Sequence, residues 1–453
     1  MPKKQFSLST SPARVIAGSF LGVILTGTLI LMLPACAKSG RVTPFFDALF
    51  TATSATCVTG LVVVDTYTHW TFLGQGVILA LIQIGGLGLV TLTLFFNLLI
   101  RRRLGLRNLQ LAQESTSASN FEDTPRLLRG IVGISLAVEG IGALLFLPAF
   151  VPRYGREGIF ISVFTSISAF CNAGFDLLGR EGAYSSLTHY NGSYVLLVAA
   201  ALVIIGGLGF MVLFDLLGWR KKKKLSLHSR VVLLSTACLL LAGTVGFAAL
   251  EWNNPATLGG LPFWQKLNAA FFQSVSTRTA GFNSVDFASM GEVTKFLSIG
   301  LMFIGAAPGS TGGGIKVTTV VVVAMTAVSV ARGYEDTVIM KRKIKRQTVN
   351  RALTVVLTGF LVILLVSGVI VYTTHSGSTV SAVDALFEST SAFATVGLSA
   401  GITGIANLPS RLLLIVTMFV GRIGPVAFLM SLAAGARKVN KKQVMPEGQI
   451  NVG

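Results

Sequence analysis

The sequence predicts an all-α membrane protein, with eight transmembrane helices in four helix/pore-loop/helix repeats and pseudo-four-fold symmetry around one pore. Three observations predict it. Of 453 residues, 52% are hydrophobic and only 12% charged, with a mean hydropathy of +0.73, whereas soluble domains carry about 25% charge. Apolar runs long enough to cross a hydrocarbon core, about 20 residues each, recur along the chain. Four related stretches, TCVTGL, CNAGF, RTAGF and TVGL, carry Gly60, Gly174, Gly281 and Gly397 at spacings of 114, 107 and 116 residues. Self-similarity at a near-fixed period signals repeated structure. The register extends upstream: Phe50, Phe164, Phe271 and Phe387 lie ten residues before their glycine, and Ser54, Ser168 and Ser391 six before it, with Val275 the exception.

The first repeat, 1–105, holds apolar runs near 15–33 and 72–100. The second, 106–225, holds 127–150 and 194–217, and the third, 226–347, holds 231–250 and 295–330, the latter reading as a broken helix. The fourth, 348–453, holds 353–371 and 412–432, followed by a tail. The first run follows a basic stretch, as a signal peptide would, but no clear small-residue cleavage site comes after it, 35–37 being the nearest. It is read as a retained helix. Between the two runs of each repeat lies a segment such as 383–398, too short to cross the bilayer. A short helix entering from outside and an extended strand returning is the economical reading, because irregular backbone at membrane depth is tolerated only inside protein or along a water-filled cavity. Four such strands around one axis would line a pore.

The formal charge of +19 sits in clusters at alternate ends of the runs: Lys3 and Lys4, 101–103, 220–224, 341–346 and 437–442. The positive-inside rule then places both termini in the cytoplasm of a multi-pass inner (plasma) membrane protein. The clusters serve orientation and contact with anionic membrane lipids; docking of a cytoplasmic partner is the other reading, and a nucleic-acid partner is not supported. Cys36, Cys57, Cys171 and Cys238 lack CxxC spacing and the four histidines form no cluster, so neither a disulfide framework nor a metal site is expected.

The candidate ion-binding residues are Val58, Thr59 and Gly60, Asn172, Ala173 and Gly174, Thr279, Ala280 and Gly281, and Thr395, Val396 and Gly397. Glycine reaches backbone conformations closed to other residues, so successive carbonyls can turn inward and replace an ion's hydration shell. Thr59, Asn172, Thr279 and Thr395 can add oxygens or tie the strand to its surroundings. The motifs contain no ring of acidic side chains, which points to a weakly hydrated monovalent cation.

In these residues the chain resembles the Trk/Ktr/HKT superfamily of potassium transporters, most closely its Ktr branch. The resemblance covers nearly the whole chain, through DALFTATSATCVTGL, SAFCNAGF, STRTAGFNSVDF and SAFATVGL for four filter segments and QIGGLG, IIGGLGF, GSTGGGIK and GRIGP for the second helices. It implies four helix, pore-loop, helix repeats around one pore, a homodimer of two separate pores, and a cytoplasmic ring of nucleotide-binding KtrA-like subunits acting through ATP or ADP. No cofactor is expected in the chain itself; potassium is the transported ion, and sodium a possible activator. In related plant transporters a serine at the first filter glycine accompanies sodium transport, and Gly60 here favours potassium. Cys57 departs from the commoner threonine, Cys171 occupies the matching position in the second repeat, and both are read as packing residues behind the strand. The short strands lack the longer TVGYG of tetrameric channels, implying weaker discrimination over sodium.

In the third repeat, 305–314 interrupts an apolar run with glycines, Pro308, Ser310 and Thr311. Gly costs about 1 kcal/mol and Pro about 3 inside a helix, so a continuous helix is not expected there. Arg422 follows Gly421 inside another apolar run, where a charge usually faces an interior or aqueous path. Gly305, Gly309, Ser310, Thr311, Gly312, Gly313, Gly314 and Arg422 are the candidate gate, with a glycine-rich packing kink as the alternative. Arg278 is expected to point outward to a carboxylate, Glu388 being the candidate, and Glu139 to need a partner or a proton. The glycines of 85–88 and 206–209 match small-residue helix contacts. Parallel repeats and a single clearly broken helix favour conduction over a sodium- or proton-coupled symporter. Without clustered Asp, Glu, His or Cys at one depth, no enzyme is expected. The tail, 444–453, could lie at a subunit contact.

Overall fold

A computed structural model of the chain describes residues 12–88, 91, 124–374 and 380–433. In chain order the helices are α1 (Pro12–Leu31), α2 (Phe45–Thr56) and α3 (Phe72–Leu87), then α4 (Thr124–Tyr154), α5 (Glu157–Phe170), α6 (Val195–Leu208) and α7 (Phe210–Lys222). There follow α8 (Leu227–Glu251), α9 (Phe263–Ser276), α10 (Glu292–Phe303) and α11 (Val317–Ala331), and finally α12 (Arg346–Thr374), α13 (Ala382–Ala394), α14 (Leu408–Ile423) and α15 (Pro425–Ala433). An antiparallel hairpin, β1 (Val338–Ile339) and β2 (Arg342–Lys343), joins α11 to α12. The basic residues Lys3 and Lys4, those of 101–103 and 437–442, and the tail 444–453 lie outside the described residues.

Among the described residues four helices are long and apolar enough to cross a membrane, or five if the bent pair α6 and α7 counts as one span. The four are α1, α4, α8 and α12, one opening each group, and they follow the first apolar run of each repeat. The second runs were expected as single spans except in the third repeat, and here the structure differs. The α3 helix stops at Gly88 (φ 80°), α6 turns into α7 at Gly209 (φ 87°) through 99°, and α14 gives way to α15 at Gly424 (φ 95°). In the third group the break is a long one, from Phe303 to Val317. A positive φ is open to glycine and strained for other residues, so one glycine suffices for a sharp break. Such a residue does not disturb the hydropathy of the run, which is why the sequence shows one broken helix where the structure has several.

The short helices α2, α5, α9 and α13 contain 12, 14, 14 and 13 residues, or about 18–21 Å at 1.5 Å per residue, too short to cross. Phe50, Phe164 and Phe387 on three of them are fully buried, whereas in the third group Phe272 takes that place and Phe271 is half-buried. The second helices press against the C-terminal ends of the short ones. A Cβ at Gly85 would run into Thr56 O, one at Gly206 into Phe170 O and one at Gly421 into Phe393 O. Each of these carbonyls lies four residues before its group's motif glycine. The small-residue contacts expected at 85–88 and 206–209 are thus helix against the end carbonyl of a short helix.

Polar bonds close the groups on one another. Lys295 Nζ lies 2.7 Å from Asp384 Oδ1 and Arg411 Nη1 2.9 Å from Asp47 Oδ1. Both aspartates sit in the first turn of a short helix, where the helix dipole favours a negative charge. Between the second and third groups, Asn268 Nδ2 donates to Asn191 O at 3.2 Å.

Replacing Gly421 by alanine is expected to destabilise the protein by about 1–3 kcal/mol, the usual effect of overpacking, because the new methyl must displace a helix-end carbonyl. Gly76→Ala, where nothing lies within 4 Å, should be neutral; thermal unfolding of the two detergent-solubilised variants compares them.

Candidate ion-binding site

The four motif glycines form a closed ring. A Cβ on Gly60 would lie 2.5 Å from Ala173 O, one on Gly174 2.8 Å from Ala280 O, and one on Gly281 2.5 Å from Val396 O. One on Gly397 would overlap Thr59 O and so return to the first segment. Each glycine therefore occupies a space that the backbone of the next segment leaves only for hydrogen. All four have positive φ, 93°, 69°, 80° and 92°.

Two residues before each glycine, the backbone is left-handed again: Val58 at φ 56°, Asn172 at 58°, Thr279 at 73° and Thr395 at 50°. Such residues are uncommon outside glycine. Their recurrence at one register position marks an imposed backbone course and not local accident. The sequence set Thr59 beside Asn172, Thr279 and Thr395 as the small polar residues of the segments, but the structural counterpart of those three is Val58. Thr59 is one residue further along, and its carbonyl faces Gly397.

The turns are fixed from behind. The peptide N–H one residue before the glycine reaches back five positions in three groups, Thr59 to Ser54 O, Ala173 to Ser168 O and Val396 to Ser391 O, each at 2.8 Å. Ser54 and Ser391 hydroxyls also accept from the N–H of Gly60 and Gly397, both at 3.1 Å, and Ser168 donates to Phe175 O at 2.6 Å. In the third group Val275 cannot do this. There Ala280 N–H reaches Ser276 O at 3.0 Å, and the Ser276 hydroxyl donates to Phe282 O.

One face of the ring opens into a cavity of about 270 Å³ to which all four glycines contribute. Asp65, Asp176 and Asp286 line it as well, carboxylates that the sequence reading passed over. Their signal was available, since Asp65 and Asp286 both stand five residues after their glycine. Burial, with Asp65 nearby, holds the Asp176 carboxyl above its ordinary range, at about 6. Its Oδ1 accepts from Leu178 N–H at 2.9 Å.

The opposite side of the ring is occupied by the 305–314 loop. A Cβ on Gly312 would meet Thr279 Oγ1, one on Gly313 would meet Thr395 Oγ1, and one on Gly314 would lie 2.9 Å from Ala394 Cα. Thr311 donates to Phe170 O at 3.1 Å, while the Asn172 amide and the Thr279 hydroxyl are bonded at 3.2 Å. Main-chain bonds pin the loop to the second group, from Ala307 N–H to Gly207 O and from Phe210 N–H to Gly309 O, each at 3.0 Å. Gly309 and Gly314 both have φ 68°, Ser310 Oγ is buried without a partner among the described residues, and Gly305 N–H bonds Ile315 O at 2.9 Å. Lys316, which the sequence reading did not single out, donates to Gly312 O at 2.6 Å.

Arg422 completes the contact with the first group. Its guanidinium donates to Thr311 O, to Gly85 O at 2.5 Å and to Gly86 O at 3.5 Å. Among the described residues no carboxylate lies within 4 Å of it. Its partners are main-chain carbonyls, in the last turn of α3 and in the loop.

Two expectations about embedded charges are corrected or resolved. Arg278 does not face Glu388: it donates to Thr236 O at 3.4 Å and Gly305 O at 3.5 Å, so it sits at the start of the break after α10. Glu388 is fully buried and satisfied, accepting from Ser399 Oγ, Ala400 N–H and both N–H and hydroxyl of Thr403. A carboxylate needs several donors when buried, and its own following loop supplies them. Glu139 accepts from Gln83 Nε2 at 3.0 and 3.1 Å, with Cys171 Sγ at 3.9 Å. Cys57 and Cys171 are both buried free thiols.

A helical protein with membrane-length apolar helices and an ordered ring of buried backbone turns belongs to the class of integral membrane transport proteins. The sequence profile of the TrkH family, described as cation transport protein, matches residues 5–437, and the chain belongs to that family of cation transporters, which are not enzymes. It is 40% identical to the Ktr system potassium uptake protein B of Bacillus subtilis (strain 168) over 446 residues, 98% of this chain and 97% of that one. It is 36% identical to the potassium/sodium uptake protein NtpJ of Enterococcus hirae, over 100% of this chain and 99% of that one. The crystal structure of the potassium transporter TrkH from Vibrio parahaemolyticus shares the fold, with a TM-score of 0.70 at 18% identity over 97% of this chain and 88% of that one.

The raised Asp176 carboxyl makes a signed prediction. The folded protein holds this proton more tightly than the unfolded chain, whose carboxyl titrates near 3.8, so the associated stability is present below that pH and lost as pH rises through about 6. Asp176→Asn should gain on the parent across that window by about 1–2 kcal/mol after solvent screening, with no further change above pH 7. Melting of both proteins between pH 4 and 8 measures it.

Proposed function

We propose that the chain is the membrane subunit of a potassium uptake system, and that the ring of four glycine segments is its selectivity filter. The observation that carries this reading is the closed ring, in which backbone at each of Gly60, Gly174, Gly281 and Gly397 lies against a carbonyl-bearing neighbour. Left-handed residues two before each glycine let consecutive carbonyls turn to one side, and a weakly hydrated cation can exchange its water for them. The short helices α2, α5, α9 and α13 end at the ring, adding the negative ends of their dipoles. Asp65, Asp176 and Asp286 would gather cations at the mouth. The four groups are then four repeats, 1–105, 106–225, 226–347 and 348–453, with pseudo-four-fold symmetry around the pore and eight membrane passages, each second passage broken at a glycine.

On this reading the 305–314 loop and Arg422 form the gate. The loop lies directly behind the Thr279 and Thr395 segments, and Arg422 holds it by Thr311 O while anchored on α3. Moving the loop requires breaking charge-assisted bonds of about 1.5–3 kcal/mol each, within reach of a regulatory partner. The similarity to Ktr uptake proteins supports a cytoplasmic nucleotide-binding ring as that partner, a homodimeric assembly, and cytoplasmic termini in the plasma membrane.

Sodium coupling remains the second reading. The Enterococcus relative is a potassium/sodium uptake protein, and breaks in several second helices weaken the sequence argument that only one was broken. The ring still favours conduction, because it joins segments of all four groups without an inverted pair.

Flux of potassium and sodium into liposomes holding the full-length protein tests the proposal. Gly60→Ser should lower the potassium-to-sodium ratio at least several-fold; an unchanged ratio removes the filter assignment. Arg422→Ala should raise flux in the absence of a partner by about ten-fold or more, since it frees Thr311 O, and unaltered partner-free flux would sink the gate.

A further inference from the structure

A cavity of about 330 Å³ lies away from the ring, between the first turns of α8, α11 and α12. His228 lines it from α8, Thr318 and Thr319 from α11, and Thr348 and Arg351 from α12. Both α8 and α12 run from this end toward a short helix that ends at the ring, so the cavity faces the membrane interface opposite the aspartate-lined mouth.

Its polar side chains are unused. Thr326 and Thr354, on the same helices, donate to the carbonyls four residues back at 2.8 and 2.9 Å, the ordinary way for a helical threonine to satisfy itself. Among the described residues no side-chain hydrogen bond is made by Thr318, Thr319 or Thr348, and no carboxylate lies within 4 Å of Arg351. Asp215, which acts on His228, accepts from Ser229 Oγ at 2.6 Å and does not line the cavity. Arg230 and Arg346 are exposed in the same first turns, and Lys345 is exposed just before α12. Three hydroxyls, a guanidinium and an imidazole converge with no anion among them.

The floor is apolar, through Val322 and Val355. Beyond it α8 and α12 expose Leu234, Leu353, Leu357 and Phe360, a surface suited to acyl chains. We propose that this groove binds the phosphate headgroup of an anionic phospholipid, with its chains along α8 and α12. Arg351 would take the phosphate oxygens in a forked pair, the threonines would donate to the rest, and the basic first turns would favour anionic over zwitterionic lipid. Thr318 and Thr319 begin the helix that leaves the 305–314 loop, so the lipid would tie the loop's exit to α8 and α12.

Native mass spectrometry of the full-length protein, titrated with phosphatidylglycerol or phosphatidylcholine of the same chains, tests this without reference to ion flux. The parent should retain one more phosphatidylglycerol per chain than phosphatidylcholine. Arg351→Gln should weaken that retention by about five-fold, the order expected for one basic residue at a lipid surface, and Thr319→Val should weaken it too, while Arg346→Gln, outside the cavity, should matter less. Equal retention of the two lipids, or equal effects of Arg351→Gln and Arg346→Gln, would overturn the site. Displacement of the lipid by soluble glycerol 3-phosphate would assign the groove to a free phosphate and overturn the lipid.

Discussion

Backbone that leaves helical geometry inside a membrane must find its hydrogen-bond partners in the protein, because the lipid offers none. Most of what distinguishes this molecule follows from that constraint. The α3 helix ends at Gly88, and the carbonyls of Gly85 and Gly86 in its last turn are met by Arg422. The α10 helix ends at Phe303, and Gly305 O is met by Arg278. Both are cations at helix C-termini, where the dipole favours them, and among the described residues neither has a carboxylate within 4 Å. An arginine placed in this way is explained by the carbonyls around it, without an ion pair.

The same constraint shapes the loop after α10. Its amides and carbonyls bond Gly206, Gly207 and Phe210 of the second group and Ile315 of its own return. Its main-chain hydrogen bonds outside its own segment go to the second group, and on the side of the first group the Arg422 guanidinium donates to Thr311 O. The third group also differs in its turn, where Ser276 substitutes for the serine missing at Val275. Departures from the common plan therefore gather in one quarter of the protein.

Much of this was legible in the sequence. Glycine spacing identified the segments that meet in the ring, because a register of 114, 107 and 116 residues reflects a repeated backbone course. Long apolar runs identified α1, α4, α8 and α12, whose composition alone decides their placement. Breaks at Gly88, Gly209 and Gly424 were not legible, since a single glycine in an apolar run reads as helix packing, and both roles occur within QIGGLG. The partner of Arg278 was misread for a related reason. Charge complementarity suggests a carboxylate, but main-chain carbonyls are invisible to a search over side chains. Val58 escaped notice as the counterpart of Asn172 because side-chain polarity, and not backbone conformation, guided the comparison.

The closed contact of the four glycines has a consequence for how the protein can change over generations. Each lacks a side chain because the next segment's carbonyl stands there, so an added methyl at one is felt by the next segment. In an assembly of four identical chains, any inherited change at such a position would appear four times at once. Here one quarter can acquire an arginine three residues before its glycine, as at Arg278, while the other three keep Cys57, Cys171 and Ala394. Fusing the quarters into one chain leaves the ring under joint restraint and frees everything behind it to specialise separately.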